Sequence, residues 1–408
     1  MLKASIHDQS FLLCTDTSLS EIYDIARQQH LWPMVFKVIE PLPEYLLLPE
    51  MQRNEWLEKS MVQIAHQINH NEALKTVCSN LSKQGIDYII LKGLTCREVY
   101  PDPDMRISSD EDILIRLQDC RKCDEILKQL GFISEEEKML SKNKSLNKLS
   151  GVRELHYYSD KWNLLLEVHL NSVGMENERN QSLNKYFENA FSHTSVLHLD
   201  DAELTMLDPT WQLMHVFAHF FRHFCEVGAG IRQMMDVLLT AQKYQDVIDW
   251  PVFMKMLADV SAEQFFKGII QAGERYLDIQ IRMLPEELRD DTINPDPMIE
   301  DMFAGGVYGC GESGQRGWSH FVTAPVYKKQ QRVTGIIKAV LFPSPGRLKD
   351  RYGFLYEYPV LIPVFYVVRI FQLIWEYARN PGKMKAAQKS ISQGIERSEM
   401  MRMYGIGR

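Results

Sequence analysis

The sequence predicts an α+β fold, with a small mixed sheet flanked by N- and C-terminal helical regions. Three observations carry the prediction. Residues 1–82 space their apolar side chains as helices do, and residues 83–204 hold short β-branched runs bounded by glycine. From about residue 205 the helical spacing returns. These stretches are the expected divisions, 1–82, 83–204 and 205–408, in a chain of 408 residues that is long enough for two or three domains.

In the first region Ser18 and Glu21 form a capping box, and Ile22, Ile25 and Ala26 follow on one helical face. Helical spacing continues through 51–83, and Gly85 supplies a helix-ending residue. The texture changes at Ile86. IDYIILKG reads as a buried strand, LTCREVY as a short helix stopped by Pro101, and PDPD as a turn. DEDILIRL (110–117) is a second strand, 118–131 is a helix closed by Gly131, and further strands are expected at 152–158 and 162–170. Between them KMLSKNKSLNKLSG is a polar, lysine-rich loop. In the last region Asp208 and Pro209 open a helix over LDPTWQLMHVFAHFFRHF, followed by helices in GIRQMMDVLLTAQKY and WPVFMKMLADV. Residues 285–300 read as an acidic, proline-rich connector and 305–317 as a glycine-rich loop. An amphipathic helix is expected at 365–380, and a polar, fraying end over 384–408.

The chemistry concentrates in the strands. Side chains alternate along a strand, so Asp110 and Asp112 share a face, and two adjacent carboxylates require compensation. A divalent cation, Mg²⁺ or Mn²⁺, compensates best. Lys92-Gly93 follows a strand and opens a helix, an arrangement suited to phosphate. Arg106 adds a planar fork for phosphate oxygens. Glu167 and His169 share a face of the 162–170 strand, and Glu167 is the third carboxylate of the metal set or the base for an acceptor hydroxyl. Glu111, on the rear face between the aspartates, requires a partner of its own or an edge position for its strand.

This order of elements, carried by LKGLTCREVYPDPDMRISSDEDILI and LEVHL, resembles the uncharacterised nucleotidyltransferase-like family of the polymerase-beta-type superfamily. The helical stretches after residue 205 and the 342–380 segment extend the resemblance over most of 20–380. It implies a nucleotidyltransferase core in which Asp110 and Asp112 bind metal and triphosphate, Glu167 assists the acceptor, and Gly93 is the phosphate-side glycine. It further implies transfer of a nucleoside monophosphate from an NTP to an acceptor hydroxyl on a small molecule, sugar or protein. The other reading is a protein of the same fold that binds a nucleotide or a partner without turnover.

Other features receive plainer readings. His215, His219 and His223 recur every fourth residue on one helix. Packing explains them adequately, and His169, His219 and His223 are candidates for lining an acceptor pocket. Arg232 and Asp236 fit a helix ion pair, or a polar link between the helical and strand regions. Cys120-x-x-Cys123 lacks a redox context, and Gly309 to Gly314 spells GxGxxG without a preceding strand. Seven irregularly spaced cysteines do not make a disulfide framework, and MLKASIHDQSF has no signal-peptide core, so a cytoplasmic protein is expected. The net charge of −8 disfavours long nucleic acid while allowing a local triphosphate site. PVLIPVFYVV is about half the ~20 residues of a spanning helix, so a buried or interfacial helix is expected and no transmembrane segment. Oligomeric state, preferred NTP and acceptor stay open.

Overall fold

The structure is a computed structural model that describes residues 1–9, 18–135, 152–172, 178–226, 228–306, 342, 358–379 and 394–407. Seven strands form its centre: β1 (Tyr88–Lys92), β2 (Asp110–Ile115), β3 (Ile133–Ser134), β4 (Glu154–Ser159), β5 (Leu164–His169), β6 (Thr194–Leu199) and β7 (Ala202–Leu207). They pair in the order β3-β4-β5-β2-β1-β7-β6. The sheet is mixed: β2 runs parallel to β5 and β1 parallel to β7, while β1–β2, β3–β4, β4–β5 and β6–β7 are antiparallel. The fold is thus α+β, with helices on both faces of the sheet.

Strand alternation gives the sheet two different faces. On the rear, Ile113, Ile115, Leu155, Tyr157, Leu166 and Val168 form one core with two helices. These are the C-terminal half of α4 (Glu50–Lys83) and α6 (Cys120–Gln129). On the front, Ile89, Leu91, Leu114 and Leu207 join a second core that takes helices from both ends of the chain. From the N-terminal side come α1 (Leu2–His7), α2 (Leu19–Gln28) and α3 (Trp32–Ile39). From the C-terminal side come α8 (Pro209–Glu226), α9 (Ile231–Lys243), α10 (Trp250–Asp259), α11 (Glu263–Ala272) and α12 (Asp296–Gly305). Between the sheet hairpins lie the short α5 (Leu94–Arg97) and α7 (Glu178–Phe187), and α13 (Ile362–Arg379) follows late in the chain. The aromatic centre of the front core is Phe217, Phe221, Phe253, Phe265 and Phe266, rings 4.9–6.2 Å apart in contacts that centre on Phe217 and Phe265.

The local signals act as their chemistry requires. Ser18 Oγ caps α2 by accepting from the Glu21 amide at 3.3 Å, and Asp208 accepts from the Thr210 and Trp211 amides at 3.1 Å each to start α8. Gly85 turns out of α4 at φ +69°. β1, β2 and β5 lie within the runs that predict them, and β4 runs one residue past its expected end at 158.

Three expectations change. β6 and β7 were not foreseen. β6 is an edge strand that buries only Leu197 and Leu199, so its apolar signal is thin, and the turn between the two strands is made by Asp200 at φ +52°. The 285–300 connector already contains the start of α12, opened by Pro295 and Asp296. The tail does not fray over its last stretch: residues 394–403 are helical, and Met401, Tyr404 and Ile406 are buried in the front core. Tyr404 Oη donates to the Asn294 carbonyl at 2.7 Å, and Arg397 pairs with Asp301 at 2.9 Å. The lysine-rich loop, the GxGxxG sequence and residues 384–393 lie outside the described residues. Among the described residues Cys78, Cys96, Cys120, Cys123 and Cys225 are buried and outside any disulfide, and Cys120 and Cys123 pack α6 into the rear core with thiols pushed up by burial. No helix among the described residues is long and apolar enough to cross a membrane.

Candidate active site

The site begins at the end of β1. The register against β2 shifts between Ile90 and Lys92, and the shift places Lys92 opposite Asp112. Lys92 Nζ then lies 3.0 Å from Asp112 Oδ1 and 3.5 Å from Asp110 Oδ2. Burial would lower the ammonium's pKa, yet Asp110, Asp112 and Glu167 together hold it above its ordinary value.

Gly93 follows at φ +76°, and a Cβ there would collide with the Glu111 carboxylate. Glu111 is the rear-face residue whose partner the sequence left open. Its Oε2 accepts from the Leu94 amide at 2.9 Å, its Oε1 accepts from Arg97, and His70 Nδ1 lies 3.7 Å away. Arg97 in turn donates to Asn71 Oδ1 at 2.7 Å. Burial would raise the Glu111 pKa, but the Arg97 charge and His70 hold it below the ordinary value, so the carboxylate stays charged. The turn after β1 is therefore pinned from beneath. One expectation narrows accordingly: α5 has only four residues and the Leu94 amide already serves Glu111, so phosphate recognition by this helix end loses its ground.

β2 and β5 run parallel, with Asp112 opposite Glu167, and β4 places Glu154 opposite His169. By alternation Asp110, Asp112, Glu154, Glu167 and His169 all rise from the front face. His169 Nε2 donates to Asp112 Oδ1 at 2.8 Å and lies 3.5 Å from both Glu167 Oε2 and Glu154 Oε2. Burial raises the Asp112 pKa against the pull of Lys92 and His169. Glu167 goes the other way: burial would raise it, but His169 and Lys92 hold it well below the carboxylate range. His169, which burial would lower, is raised by Asp112 and Glu167.

Two observations test this set for a divalent cation. Asp112, Glu167 and His169 offer ligand atoms within 4.8 Å of one another. Asp112 Oδ2 is buried with no hydrogen-bond partner among the described residues. Four carboxylates face Lys92, His169 and Arg153, the last already paired with Glu154, so with all four ionised one negative charge is left over when His169 is protonated and two when it is neutral. The residues fit a cation held by carboxylate oxygens, with His169 orienting Asp112.

Above this floor lies a cavity of about 270 Å³. Lys92, Gly93, Asp110, Glu154, Glu167 and His169 line its floor, and α8 and α9 roof it. His215, His219 and His223 all reach it from α8, with the rings of His219 and His223 4.4 Å apart. Both ring nitrogens of His215 and Nδ1 of His223 are buried with no hydrogen-bond partner among the described residues. Burial first, and nearby cations second, push all three imidazoles well below the ordinary histidine value.

Arg106 reaches the cavity wall, but its donors are engaged. Nε and Nη2 grip Asp236 of α9 at 3.0 and 2.6 Å, and Nη1 donates to Ser108 and the Ile107 carbonyl. Tyr100 Oη donates to the same Asp236 at 2.8 Å, and Arg232 donates to the Ile107 carbonyl. Asp236 and Arg232 thus tie the sheet region to the helical roof. Sequence reasoning missed Glu154, Arg153 and Arg222 in this cavity. The alternation of Glu154 and His156 in β4, mirrored by Glu167 and His169 across a short hairpin, is the signal that finds the first.

Comparison with curated proteins finds none that matches the chain. The profile of a family described as uncharacterised nucleotidyltransferase matches residues 15–278. That span holds the whole sheet, the carboxylate floor and both roof helices. The chain belongs to this family of nucleotidyltransferases.

Proposed function

We propose that the protein transfers a nucleoside monophosphate from an NTP to a hydroxyl of a small acceptor, with pyrophosphate as leaving group. The observation that carries this reading is Lys92 set between Asp110 and Asp112, at 3.5 and 3.0 Å, with Asp112 opposite Glu167 in the sheet, beneath a cavity that Lys92, Asp110 and Glu167 line. Asp110, Asp112 and Glu167 are the residues that would hold Mg²⁺ or Mn²⁺. When bound, that cation would neutralise charge developing on the triphosphate. His169 fixes the orientation of Asp112 through its 2.8 Å hydrogen bond. Lys92 is the cationic group on the floor that can turn from Asp110 towards phosphate, and Gly93 lets the backbone approach it. Arg106 contributes by holding the roof on the floor through Asp236, and the phosphate role expected of it passes to Lys92. His219 and His223, with His215, offer imidazole nitrogens to an acceptor hydroxyl. A cavity of about 270 Å³ suits a compact acceptor better than a nucleic acid strand.

Isothermal titration with each NTP in the presence of Mg²⁺ tests the reading. At least one NTP should bind, and Asp112→Asn should abolish transfer while the thermal melt stays that of a folded protein. Failure of every NTP to bind would remove the enzyme reading.

A further inference from the structure

Helix α13 turns an apolar face to solvent. Val360, in the turn just before it, and Val364, Val367, Phe371 and Trp375 recur at intervals of three and four residues and so stack on one side. Their exposure runs from 53% at Val367 to 80% at Val360, while Ile362, Phe365, Tyr366 and Arg369 on the opposite side are half-buried. The helix is apolar on its half-buried side and on its exposed side alike, and an exposed apolar face of this kind marks a contact surface.

The charge of the chain is segregated to the same stretch of sequence. Between residues 328 and 389 there are twelve Lys and Arg residues against Asp350, Glu357 and Glu376, a net charge of +9. The whole chain carries −8, so the remainder carries −17. A partner suited to this stretch offers an apolar surface to the exposed face and anionic groups to the basic excess of the surrounding sequence. A second copy of the chain fails that requirement, because pairing the two apolar faces would bring two segments of +9 together. A lipid surface meets it. Phe371 and Trp375 are residue types that settle at the boundary of headgroups and acyl chains, and the basic excess matches anionic headgroups. α13 has 18 residues and does not qualify as a spanning helix, so it lies along the surface.

We infer that α13 is an in-plane anchor that docks the protein on an anionic lipid bilayer. The test is co-sedimentation of the full chain with vesicles of phosphatidylcholine, alone or mixed with phosphatidylglycerol. The protein should sediment with the mixed vesicles, bind the neutral ones weakly, and lose binding as salt is raised. Phe371→Ser combined with Trp375→Ser should weaken binding to the mixed vesicles about tenfold or more. Val364→Asp, at a separate exposed position, is the second variant should the first pair fail to fold, and circular dichroism and melting temperature check folding of both. Three results would overturn the inference: no binding to anionic vesicles, binding unchanged in folded variants, or a wild-type dimer that the variants dissociate without any vesicle binding.

Discussion

Gly93 turns the chain at φ +76° with the Glu111 carboxylate directly beneath it, so any side chain at this position meets a charged group that cannot easily move. Gly93→Ala is expected to cost about 1–3 kcal/mol from backbone strain and the displaced carboxylate. Glu111→Ala leaves Arg97 buried without its counter-charge and is expected to cost about 3–5 kcal/mol. Urea denaturation measures both, and an unchanged midpoint in either would refute the pinned turn. At this scale the paired aspartates and Glu167 were legible, because a period of two is a property of the strand itself. The partner of Glu111 was not legible, since Arg97 and His70 reach it from two different helices. Nor was the commitment of Arg106 to Asp236, residues 130 positions apart.

At the scale of elements, a buried acidic residue ties α9 to the sheet region alongside the bond from Arg232 to the Ile107 carbonyl. Asp236 receives Arg106 in two hydrogen bonds and Tyr100 in a third. Asp236→Ala is expected to destabilise the fold by about 3–5 kcal/mol, because it leaves the guanidinium buried and unpaired. Exchanging both Arg106 and Asp236 for apolar residues of similar volume should cost much less, and chemical denaturation of the single and double variants separates these outcomes. Should the single and double variants melt alike, the link between roof and floor is not what Asp236 supplies. The sequence offered Asp236 either a helix ion pair with Arg232 or a polar link to the strand region, and its bonds to Arg106 and Tyr100 make that link. β6 and β7 illustrate a limit: an edge strand with two buried side chains carries too little apolar alternation to stand out, and its place in the sheet is set by pairing with β7.

At the scale of the molecule, the N- and C-terminal helices share one core, and His30 sits where they meet. Burial, with the Arg232 charge as a second cause, lowers the His30 pKa to about 4. The folded state therefore prefers the neutral imidazole. Above the unfolded value of ~6.5 the group contributes nothing to the pH dependence. As pH falls below that value the unfolded chain takes up the proton first, and stability is lost progressively down to about 4. Thermal melts across this window should show a falling midpoint, and His30→Asn should shallow the slope, since asparagine tolerates the φ of +54° at this position. An equal slope in the variant would remove His30 from the account. The tail shows what composition conceals at this scale. Over 394–407 it carries Glu396, Arg397, Glu399 and Arg402, and Met401, Tyr404 and Ile406 seat it in the core.

The shared core also has a consequence in time. A ribosome delivers Trp56 long before Phe217, Phe265 and Met401, with which it shares one apolar cluster. The strand floor emerges before the roof of α8 and α9 that covers it. The first helices and the carboxylate floor must wait, unfinished, until residues 394–407 are made. Growing chains should thus be most vulnerable to proteases and most dependent on chaperones until that segment has emerged.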